Sequence, residues 1–489
     1  MGTGKEGKLI VVSNAEPYKH IYGEEGQVLC QEVGGGLTTA MNPQMRQTGG
    51  TWIAYGRGEA DFEVTDSQGE VMVPENKKTN RDSQYALKRL DFDKGVYENF
   101  YRGYANRILW PICHSFPARA DLENEDSYWE EGYLPANRKY AQAVVETYEP
   151  GDRIWIHDYH LALVPQLVKE ELPGAEVGVF WHIPWPPWEN FLKIPHDREL
   201  IEGLCAADLL GFHTSDYGEN FFRCIEKLGG NVDRPEGTCN LDTVSLKVGP
   251  YPLGVNFPFF DGADTEKKEE FRREYGAEHI ILGVDRQDYT KCIPERIKGF
   301  EEFIRRYPSY REEVTLIQRT PKSRTEIEEY QDERDEINRD VSAFNGRYGR
   351  HNWVPIKLLW RGIPQRELIG EYRVADVALV TPGIDGMNLV SKEFVAANEE
   401  PKVLILSEFA GSSSQLAGAV GVNPYHKQEV AEAIDYALSM DEEEKKNRWN
   451  QLRKTVREED LPTWANGFLA DLGRFHRNEA SVRDRRKRQ

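Results

Sequence analysis

The chain has 489 residues, a formal net charge of −20, 39% hydrophobic residues and 11% aromatic residues. This composition excludes a disordered chain, and the acidic balance argues against a general binder of nucleic acid or of membrane surfaces. The length predicts two domains. The six cysteines form no Cys-x-x-Cys pair, and no apolar run approaches the roughly 20 residues of a membrane span, so we expect a cytoplasmic protein with free thiols.

The first predicted elements are a buried strand and a glycine-rich turn. LIVVSN (9–14) is a short apolar run that ends in polar residues, as in a buried parallel strand. VGGGLTTAM (33–41) places three glycines at the start of a predicted helix. Such a turn is either a flexible connection or a loop that binds an anion or a substrate through its backbone N–H groups.

Aromatic residues interleaved with polar ones come next. They are Trp52, Tyr55, Tyr101 and Trp110. Ring faces in this setting either pack on sugar C–H groups or fill a core. Trp52, Tyr101 and Trp110 are therefore candidates for contacts with a sugar.

Three further strands deliver histidines or acids to their carboxyl ends, where doubly wound sheets bind ligands. They are RIWIHDYH (153–160), VGVFWHIPWP (177–186) and LLGFHTSDY (209–217). His157, His160 and His182 are metal-ligand residue types, but their spacing does not match the His-Glu-x-x-His pattern and no cysteine cooperates. We predict no metal site.

The second half alternates apolar runs with charged, helix-like segments. The predicted strands are IILGVD (280–285), VTLIQR (314–319), IKLLWRG (356–362), VALVTP (377–382) and VLILSE (403–408). This alternation predicts an α/β protein with two doubly wound, Rossmann-like domains that face each other across a cleft. We place the domains at 1–257 and 258–458, with 459–489 as a C-terminal helix that crosses back towards the first domain and ends in a basic tail.

Two stretches of the second half carry the chemistry. VDRQDYTKCIPER (284–296) places Arg286 and Lys291 after a strand, where two fixed cations could stabilise a diphosphate leaving group. GIDGMNLVSKEF (383–394) joins a strand to a helix through a turn that contains Asp385. The start of that helix can face an anion, while carboxylates such as Asp385 and Glu393 can accept hydrogen bonds from sugar hydroxyls.

The chain resembles the trehalose-6-phosphate synthase family of retaining glycosyltransferases, which have the GT-B fold. The matching blocks extend in the family's order from about residue 9 to 425: VVSN, GGGLTTA, LWPICH, WIHDYHLALVPQL, VFWHIPWPPWE, DLLGFHTSDY, YPLGVN, DRQDYTKCIPER, NGRYG, ADVALVTPGIDGMNLVSKEFVAA and SEFAG. The resemblance therefore covers most of the chain.

For the donor, the resemblance implies that Arg286 and Lys291 grip the diphosphate and that Asp385 contacts the sugar hydroxyls. Glu393 would hold the nucleotide ribose. The backbone beside the sugar and phosphates would be that of Gly386, Met387, Asn388 and Leu389, and the loop closing over the donor would contain Gly35 and Gly36.

For the acceptor, the resemblance implies that Asp158 binds the sugar and that His182 lies near the reacting carbon. Tyr101, Trp110 and Arg324 would bind glucose 6-phosphate, with Arg324 meeting the phosphate, and Trp52 is counted as a further acceptor-binding candidate. The first domain would bind the acceptor and the second the nucleotide-sugar. The predicted catalytic set is Asp158, His182, Arg286, Lys291 and Asp385.

The resemblance therefore predicts transfer of glucose from UDP-, GDP- or ADP-glucose to glucose 6-phosphate, giving trehalose 6-phosphate without a metal or other cofactor. The alternatives are a related synthase that uses glycerol 3-phosphate or a polyol, and a catalytically silent sensor of sugar phosphates. Neither a nucleic acid nor a membrane is an expected partner, and the oligomeric state, including a homo-oligomer, stays open.

One departure from the family matters for the acceptor. Arg usually follows Ser-Asn after the first strand and helps to bind the acceptor phosphate, but here the residue is Ala15. Losing such a contact would cost about 1.5–3 kcal/mol. Three explanations stay open: another acceptor, compensation by a neighbouring cation such as Lys19 or Lys322, and an introduced substitution.

Overall fold

The structure is a computed structural model that describes residues 7–74, 83–241, 245–263, 267–322 and 328–487. The chain divides into two compact units. Unit 1 comprises Met1–Tyr251 together with Trp464–Gln489, and unit 2 comprises Pro252–Thr463. The assignment of acceptor binding to the first domain and of nucleotide-sugar binding to the second stays a prediction.

The strands of unit 1 form a ten-stranded sheet and a separate hairpin. In chain order they are β1 (Leu9–Val12), β2 (Tyr18–Tyr22), β3 (Val28–Glu32), β4 (Thr51–Tyr55), β5 (Glu70–Val73), β6 (Tyr85–Leu90), β7 (Arg153–His157), β8 (Glu176–Phe180), β9 (Leu209–Phe212), β10 (Asn231–Asp233), β11 (Thr238–Asn240) and β12 (Leu246–Pro250). The sheet has the order β10-β11-β12-β9-β8-β7-β1-β4-β6-β5, and β2 pairs with β3 in the hairpin.

The central strands of this sheet, from β12 to β6, run parallel, whereas β10, β11 and β5 are antiparallel additions at its edges. Strand order reverses between β1 and β7, because the chain moves from β1 towards β4 and β6 and later returns to place β7 on the opposite side. All four residues of β1 are buried, as its continuous apolar run predicts. The carboxyl ends of β1 and β7 therefore mark a topological switch point, the usual ligand-binding place in such sheets.

Unit 2 contains a six-stranded sheet in which every pairing is parallel. Its strands are β13 (His279–Val284), β14 (Val314–Arg319), β15 (Ile356–Leu359), β16 (Val377–Val380), β17 (Val403–Ser407) and β18 (Val420–Val422). The order β15-β14-β13-β16-β17-β18 is that of a doubly wound dinucleotide-binding sheet, with its switch point between β13 and β16.

Helices cover both sheets. The α-helices are α1 (Gly36–Thr48), α2 (Lys94–Tyr97), α3 (Trp110–Cys113), α4 (Glu125–Tyr128), α5 (Leu134–Thr147), α6 (Val164–Glu171), α7 (Trp188–Phe191), α8 (Asp197–Cys205), α9 (Ser215–Lys227), α10 (Phe257–Asp261), α11 (Lys267–Tyr275), α12 (Ile293–Arg306), α13 (Glu328–Tyr348), α14 (Gln365–Val374), α15 (Leu389–Ala397), α16 (Lys427–Ser439), α17 (Glu442–Glu458) and α18 (Leu461–Lys487). π-Helical turns occupy Glu98–Leu109 and Trp129–Tyr133, and 3₁₀ turns occupy Pro117–Arg119, Tyr159–Leu161, Tyr289–Lys291, Pro308–Tyr310 and Gly411–Ser414.

Helix α18 starts in unit 2 and continues in unit 1. Within unit 1, Phe468 stacks on Trp155 of β7 with ring centroids 4.7 Å apart. A Cβ atom added to Gly178 of β8 or to Gly211 of β9 would lie 2.8 Å from the Phe468 ring. The two glycines therefore make room on the sheet for this aromatic side chain, which is completely buried.

The predicted fold class is confirmed: the chain is α/β, with two doubly wound, Rossmann-like sheets. One of the charged, helix-like segments expected between the strands forms α13, which begins at Glu328, and residues 323–327 before it lie outside the described part. Among the described residues, none of the helices combines the length and the apolar composition that crossing a membrane would require.

Candidate active site

The unit 2 site lies at the switch point between β13 and β16. The segment after β13 includes the 3₁₀ turn Tyr289–Lys291, and the segment after β16 begins with Thr381. The backbone N–H of Gly383 donates to the carbonyl of Thr290 at 2.8 Å, which fixes the two loops against each other. A parallel sheet with this order therefore brings together residues that are nearly one hundred positions apart in sequence.

Lys291 and Asp385 form the central contact of this site. Lys291 Nζ donates to Asp385 Oδ2 at 2.5 Å, and both side chains are largely but not fully buried, with 12% and 15% of their surfaces exposed. Asn388 Nδ2 donates to the same oxygen at 3.0 Å. The structure thus brings a cation, an acid and an amide to one point, as the predicted donor site requires.

Asn388 also begins helix α15. It has a left-handed backbone with φ of 70°, and its Oδ1 accepts a hydrogen bond from the N–H of Ser391 at 3.1 Å. One side chain therefore caps the helix with its oxygen and holds Asp385 with its nitrogen. The neighbouring loop is tightly packed, because a Cβ on Gly411 would lie only 2.0 Å from the carbonyl oxygen of Gly386.

Most of the other predicted donor residues also lie near this turn. Met387 is buried, and its carbonyl accepts from the N–H of Ser412 at 2.8 Å, while Leu389 is the first residue of α15. Arg286 follows β13 but is half exposed, with its guanidinium 3.9 Å from an Asp288 carboxylate oxygen.

Glu393 lies one turn into α15 and is held by two neighbours from α14. Its Oε2 accepts from the Tyr372 hydroxyl at 2.7 Å, and its Oε1 accepts from Gln365 Nε2 at 3.5 Å. Burial raises the pKa of Glu393 to about 7, although these hydrogen bonds act in the opposite direction.

Arg296 supports the unit 2 site from beneath, a role that the sequence patterns did not indicate. Its fully buried guanidinium donates to Asp285 Oδ2 at 2.6 Å, to Gln318 at 3.0 Å and to Thr381 at 2.8 Å. These partners lie on β14 and at the ends of β13 and β16. The only available signal was an arginine among apolar positions of α12, which is easily mistaken for a surface residue.

The unit 1 site surrounds the end of β7. Asp158 has a positive φ of 78°, and its Oδ1 accepts from the backbone N–H of Tyr159 at 3.0 Å and of His182 at 3.3 Å. Its Oδ2 lies 3.8 Å from His160 Nδ1. The structure therefore places Asp158 and His182 side by side, one after β7 and the other after β8.

His182 lies in a group of histidines with His157 and His213. Its Nε2 lies 3.0 Å from His157 Nδ1, and its carbonyl oxygen lies 3.1 Å from His213 Nε2. Burial lowers the pKa of His157 to about 3. Burial also lowers the pKa of His182 well below its usual value, and the neighbouring His157 and His213 act in the same direction. His182 thus stays uncharged at neutral pH.

The aromatic candidates have different positions. Tyr101 stacks on His160 with centroids 5.6 Å apart, which places it beside Asp158. Trp110 is 5% exposed and packs against Tyr159 and His114. Trp52 has no exposed surface, and its indole N–H donates to Ser13 Oγ at 2.9 Å. The expectation that Trp52 contacts the acceptor therefore needs correction: its ring is a core residue that supports the end of β1.

The remaining candidates are less constrained. Gly35 and Gly36 are exposed at the start of α1, where Thr38 Oγ1 donates to the Val33 carbonyl at 2.9 Å. Arg324 lies outside the described residues. In the described ranges, one group of metal-ligand types lies together, Glu125, Asp126 and His196, and none of these three is a predicted site residue.

The family model for glycosyltransferase family 20 matches residues 7–474. The chain belongs to glycosyltransferase family 20. Its relatives include the bifunctional trehalose-6-phosphate synthase/phosphatase of Thermoproteus tenax, which is 38% identical over 95% of this chain and 63% of its own length. The UDP-forming α,α-trehalose-phosphate synthase of Candida albicans is 32% identical over 98% of this chain and 100% of its own.

This family 20 chain spans less than two thirds of the length of two relatives, 63% of the Thermoproteus protein and 64% of a UDP-forming α,α-trehalose-phosphate synthase A of Dictyostelium discoideum. Solved structures agree with its fold. A trehalose-6-phosphate protein of E. coli bound with UDP-2-fluoro glucose has a TM-score of 0.84 at 30% identity, over 95% of this chain and 98% of that one.

A UDP-forming α,α-trehalose-phosphate synthase of Burkholderia xenovorans in complex with glucose-6-phosphate also has a TM-score of 0.84 at 30% identity, over 96% and 100% of the two chains. The predicted family and the GT-B fold are thereby confirmed. The roles of individual site residues stay predictions.

Proposed function

We propose that this chain is a retaining glucosyltransferase that moves glucose from UDP-glucose to glucose 6-phosphate and produces trehalose 6-phosphate. The observation that carries the proposal is the Lys291–Asp385–Asn388 group at the switch point of unit 2. The relatives named above, several of them UDP-forming synthases, support the choice of donor and product. Cations from the protein neutralise the diphosphate, so the proposal calls for no metal ion.

On the donor side, Lys291 stabilises the negative charge that develops on the diphosphate as its bond to the sugar breaks, and Arg286 adds a second cation. The first N–H groups of α15 point towards the same anion, since the start of a helix carries positive partial charge. Asp385 accepts hydrogen bonds from sugar hydroxyls, and Glu393 accepts them from the ribose.

On the acceptor side, Asp158 binds a sugar hydroxyl, and the neutral His182 hydrogen-bonds near the reacting carbon. Tyr101 adds a ring face next to them. Water must be kept from this region, because it would compete with the acceptor for the activated donor sugar.

The reaction retains the configuration of the donor carbon. The bond from that carbon to the diphosphate breaks with its electron pair moving to the leaving oxygen, which gives a short-lived oxocarbenium-like species. The acceptor hydroxyl attacks from the same face, and its proton passes to the leaving phosphate oxygen. This route needs no protein nucleophile, unlike that of a retaining glycosidase.

The test measures nucleotide release from UDP-, GDP- and ADP-glucose with glucose 6-phosphate as acceptor, and NMR identifies the glycosidic linkage. We expect UDP release and α,α-linked trehalose 6-phosphate. If nucleotide is released with glycerol 3-phosphate or a polyol but not with glucose 6-phosphate, the proposed acceptor is wrong and that compound is the acceptor instead. A sensor would bind sugar phosphate and release no nucleotide from any donor.

A further inference from the structure

Arg57 has a rigid position in the loop that follows β4. Its backbone N–H donates to Glu16 Oε1 at 2.9 Å, and the next N–H, of Gly58, donates to Asp61 Oδ2 at 2.5 Å. Gly58 fits closely, since a Cβ there would lie 2.3 Å from the carbonyl oxygen of His20. The loop is thus fixed at both residues, and only the Arg57 side chain extends from it.

The Arg57 side chain reaches the acceptor-side group of unit 1. Its Nη2 donates to the Asn14 carbonyl at 3.4 Å, the carbonyl of the peptide bond to Ala15. Its guanidinium carbon lies 5.6 Å from the centroid of the Tyr101 ring. Tyr101 in turn stacks on His160, which lies beside Asp158. Arg57 therefore brings a cation to the place where β1 ends and where Ala15 has only a methyl group.

The Arg57 guanidinium forms no direct ion pair in the part of the chain that the structure describes. Its residue is exposed, and among the described residues no carboxylate lies within ion-pair distance of its guanidinium. Both oxygens of the nearby Glu16 already accept a hydrogen bond, Oε1 from the Arg57 backbone N–H and Oε2 from Arg89 at 3.1 Å. Burial and the nearby Asp61 carboxylate raise the pKa of Glu16 to about 7, which further reduces the negative charge there at neutral pH.

An accessible guanidinium without a carboxylate partner, fixed over aromatic rings, suits an anion that takes two hydrogen bonds in a plane. A phosphate monoester has that geometry. We propose that Arg57 binds the phosphate of the acceptor sugar and so determines the preference of this chain for a phosphorylated acceptor. This inference rests on the proposed function for the acceptor, and it replaces Lys19 and Lys322 as the cation that compensates for Ala15.

The decisive experiment compares the wild type with Arg57→Ala in glucose 6-phosphate binding by calorimetry and in steady-state kinetics. We expect the Kd and the KM for glucose 6-phosphate to rise roughly tenfold to hundredfold. The KM for UDP-glucose and its slow hydrolysis without acceptor should stay unchanged. Arg57→Lys should recover part of the affinity, and Ala15→Arg in the Arg57→Ala background should recover more, because both return a cation to this place.

Arg102→Ala is the matched control, because Arg102 is also exposed and follows Tyr101 but lies 3.7 Å from a Glu98 carboxylate oxygen. Its Kd for glucose 6-phosphate should change less than twofold. A folded Arg57→Ala variant with an unchanged Kd for glucose 6-phosphate would overturn the inference but not the proposed function. A large loss of that affinity in Lys19→Ala, and not in Arg57→Ala, would have the same meaning. If the wild type neither binds nor glucosylates glucose 6-phosphate while still hydrolysing UDP-glucose, the proposed acceptor fails and this inference fails with it.

Discussion

Lys291 donates to Asp385 at 2.5 Å, so the cation expected to bind the donor diphosphate is paired with the acid expected to bind the donor sugar. The two residues follow neighbouring strands, β13 and β16, at the switch point of the unit 2 sheet. In the proposed reaction the diphosphate competes with Asp385 for the ammonium group. Asp385 thus holds the Lys291 ammonium group in place before the donor binds. When the donor binds, the ammonium group interacts with the diphosphate as well as with Asp385.

Replacing Lys291 should affect the reaction much more than the fold. Lys291→Ala removes the charge that stabilises the leaving diphosphate, and we expect kcat to fall by roughly 100- to 1,000-fold. Lys298→Ala is the control, because Lys298 is 46% exposed and interacts with Glu295 and Glu336 on the surface. Steady-state kinetics and thermal unfolding measure both effects. Equal activity of Lys291→Ala and the wild type would reject the assignment of this site.

Substitutions of Asn388 can distinguish its role as the cap of helix α15 from its hydrogen bond to Asp385. Asn388→Gly keeps the left-handed backbone at little cost, and glycine is tolerated as a helix cap, so the melting temperature should stay near that of the wild type. Turnover should nevertheless fall, because Asp385 loses its amide donor. Asn388→Ala adds a backbone cost of about 1–2 kcal/mol, which should appear as a lower free energy of unfolding. If Asn388→Gly retains full turnover, the amide does not position Asp385.

Glu393 should make donor binding depend on pH. Its pKa is raised to about 7, so below that pH the carboxyl is protonated and is a poorer acceptor for ribose hydroxyls. Binding favours the ionised form, so the affinity for UDP-glucose should rise as the pH increases from 6 to 8, with proton release near pH 7. Calorimetry in buffers of different ionisation enthalpy measures that proton. Glu393→Gln should remove the pH dependence, whereas its persistence would mean that another group titrates.

The buried histidines should make unit 1 sensitive to acid. The pKa of His157 is about 3 in the folded protein against 6.5 as its ordinary value, so the unfolded chain binds more protons between these limits. The stabilisation is therefore present above pH 6.5 and is lost as the pH falls towards 3, with a slope of up to about 1.4 kcal/mol per pH unit. Urea unfolding at several pH values should show a shallower dependence for His157→Gln. His351→Gln, at an exposed position, should follow the wild type.

The buried pair beneath the unit 2 site should be sensitive to the loss of one partner. Arg296→Ala leaves the Asp285 carboxyl buried without its cation and should lower the free energy of unfolding by about 3–5 kcal/mol. Adding Asp285→Asn should restore part of this loss, because the uncompensated charge is gone. Arg305→Ala, on the exposed side of the same helix, should leave the free energy of unfolding close to that of the wild type. No recovery in the double variant would show that packing, rather than charge, sets the cost.

Apolar runs were enough to predict the parallel strands, since buried strands such as β1, β7, β13 and β16 read as continuous β-branched and aliphatic segments. The antiparallel edges and the β2–β3 hairpin were missed because half-exposed strands such as β3 carry a mixed, weakly apolar sequence. The π-helical stretch Glu98–Leu109 also has no sequence signature, because its hydrogen-bond register depends on tertiary packing.

Motif position was enough to select Lys291 and Asp385 as neighbours, because both follow strands that the sequence identified. Their roles towards the donor stay predictions. The position of a motif after a strand does not predict which of its side chains are buried. Trp52 looks like a sugar-binding ring in TWIAYGRG but lies in the core, whereas Arg57 in the same motif faces outwards over Tyr101. The signal for Arg57 was a single arginine between two glycines, which by itself does not differ from an ordinary loop.

The packing of Phe468 against Gly178 and Gly211 has a consequence for folding during synthesis of the protein. Unit 1 combines residues that precede unit 2 in the chain with residues that follow it. A ribosome therefore makes all of Pro252–Thr463 before it adds Phe468, whose ring packs on the unit 1 sheet. At roughly 5–20 residues per second this interval is on the order of 10–40 s. During that time Trp155 lacks the stacked ring of Phe468, so we expect the packing of the unit 1 sheet to be completed only after unit 2 has been translated.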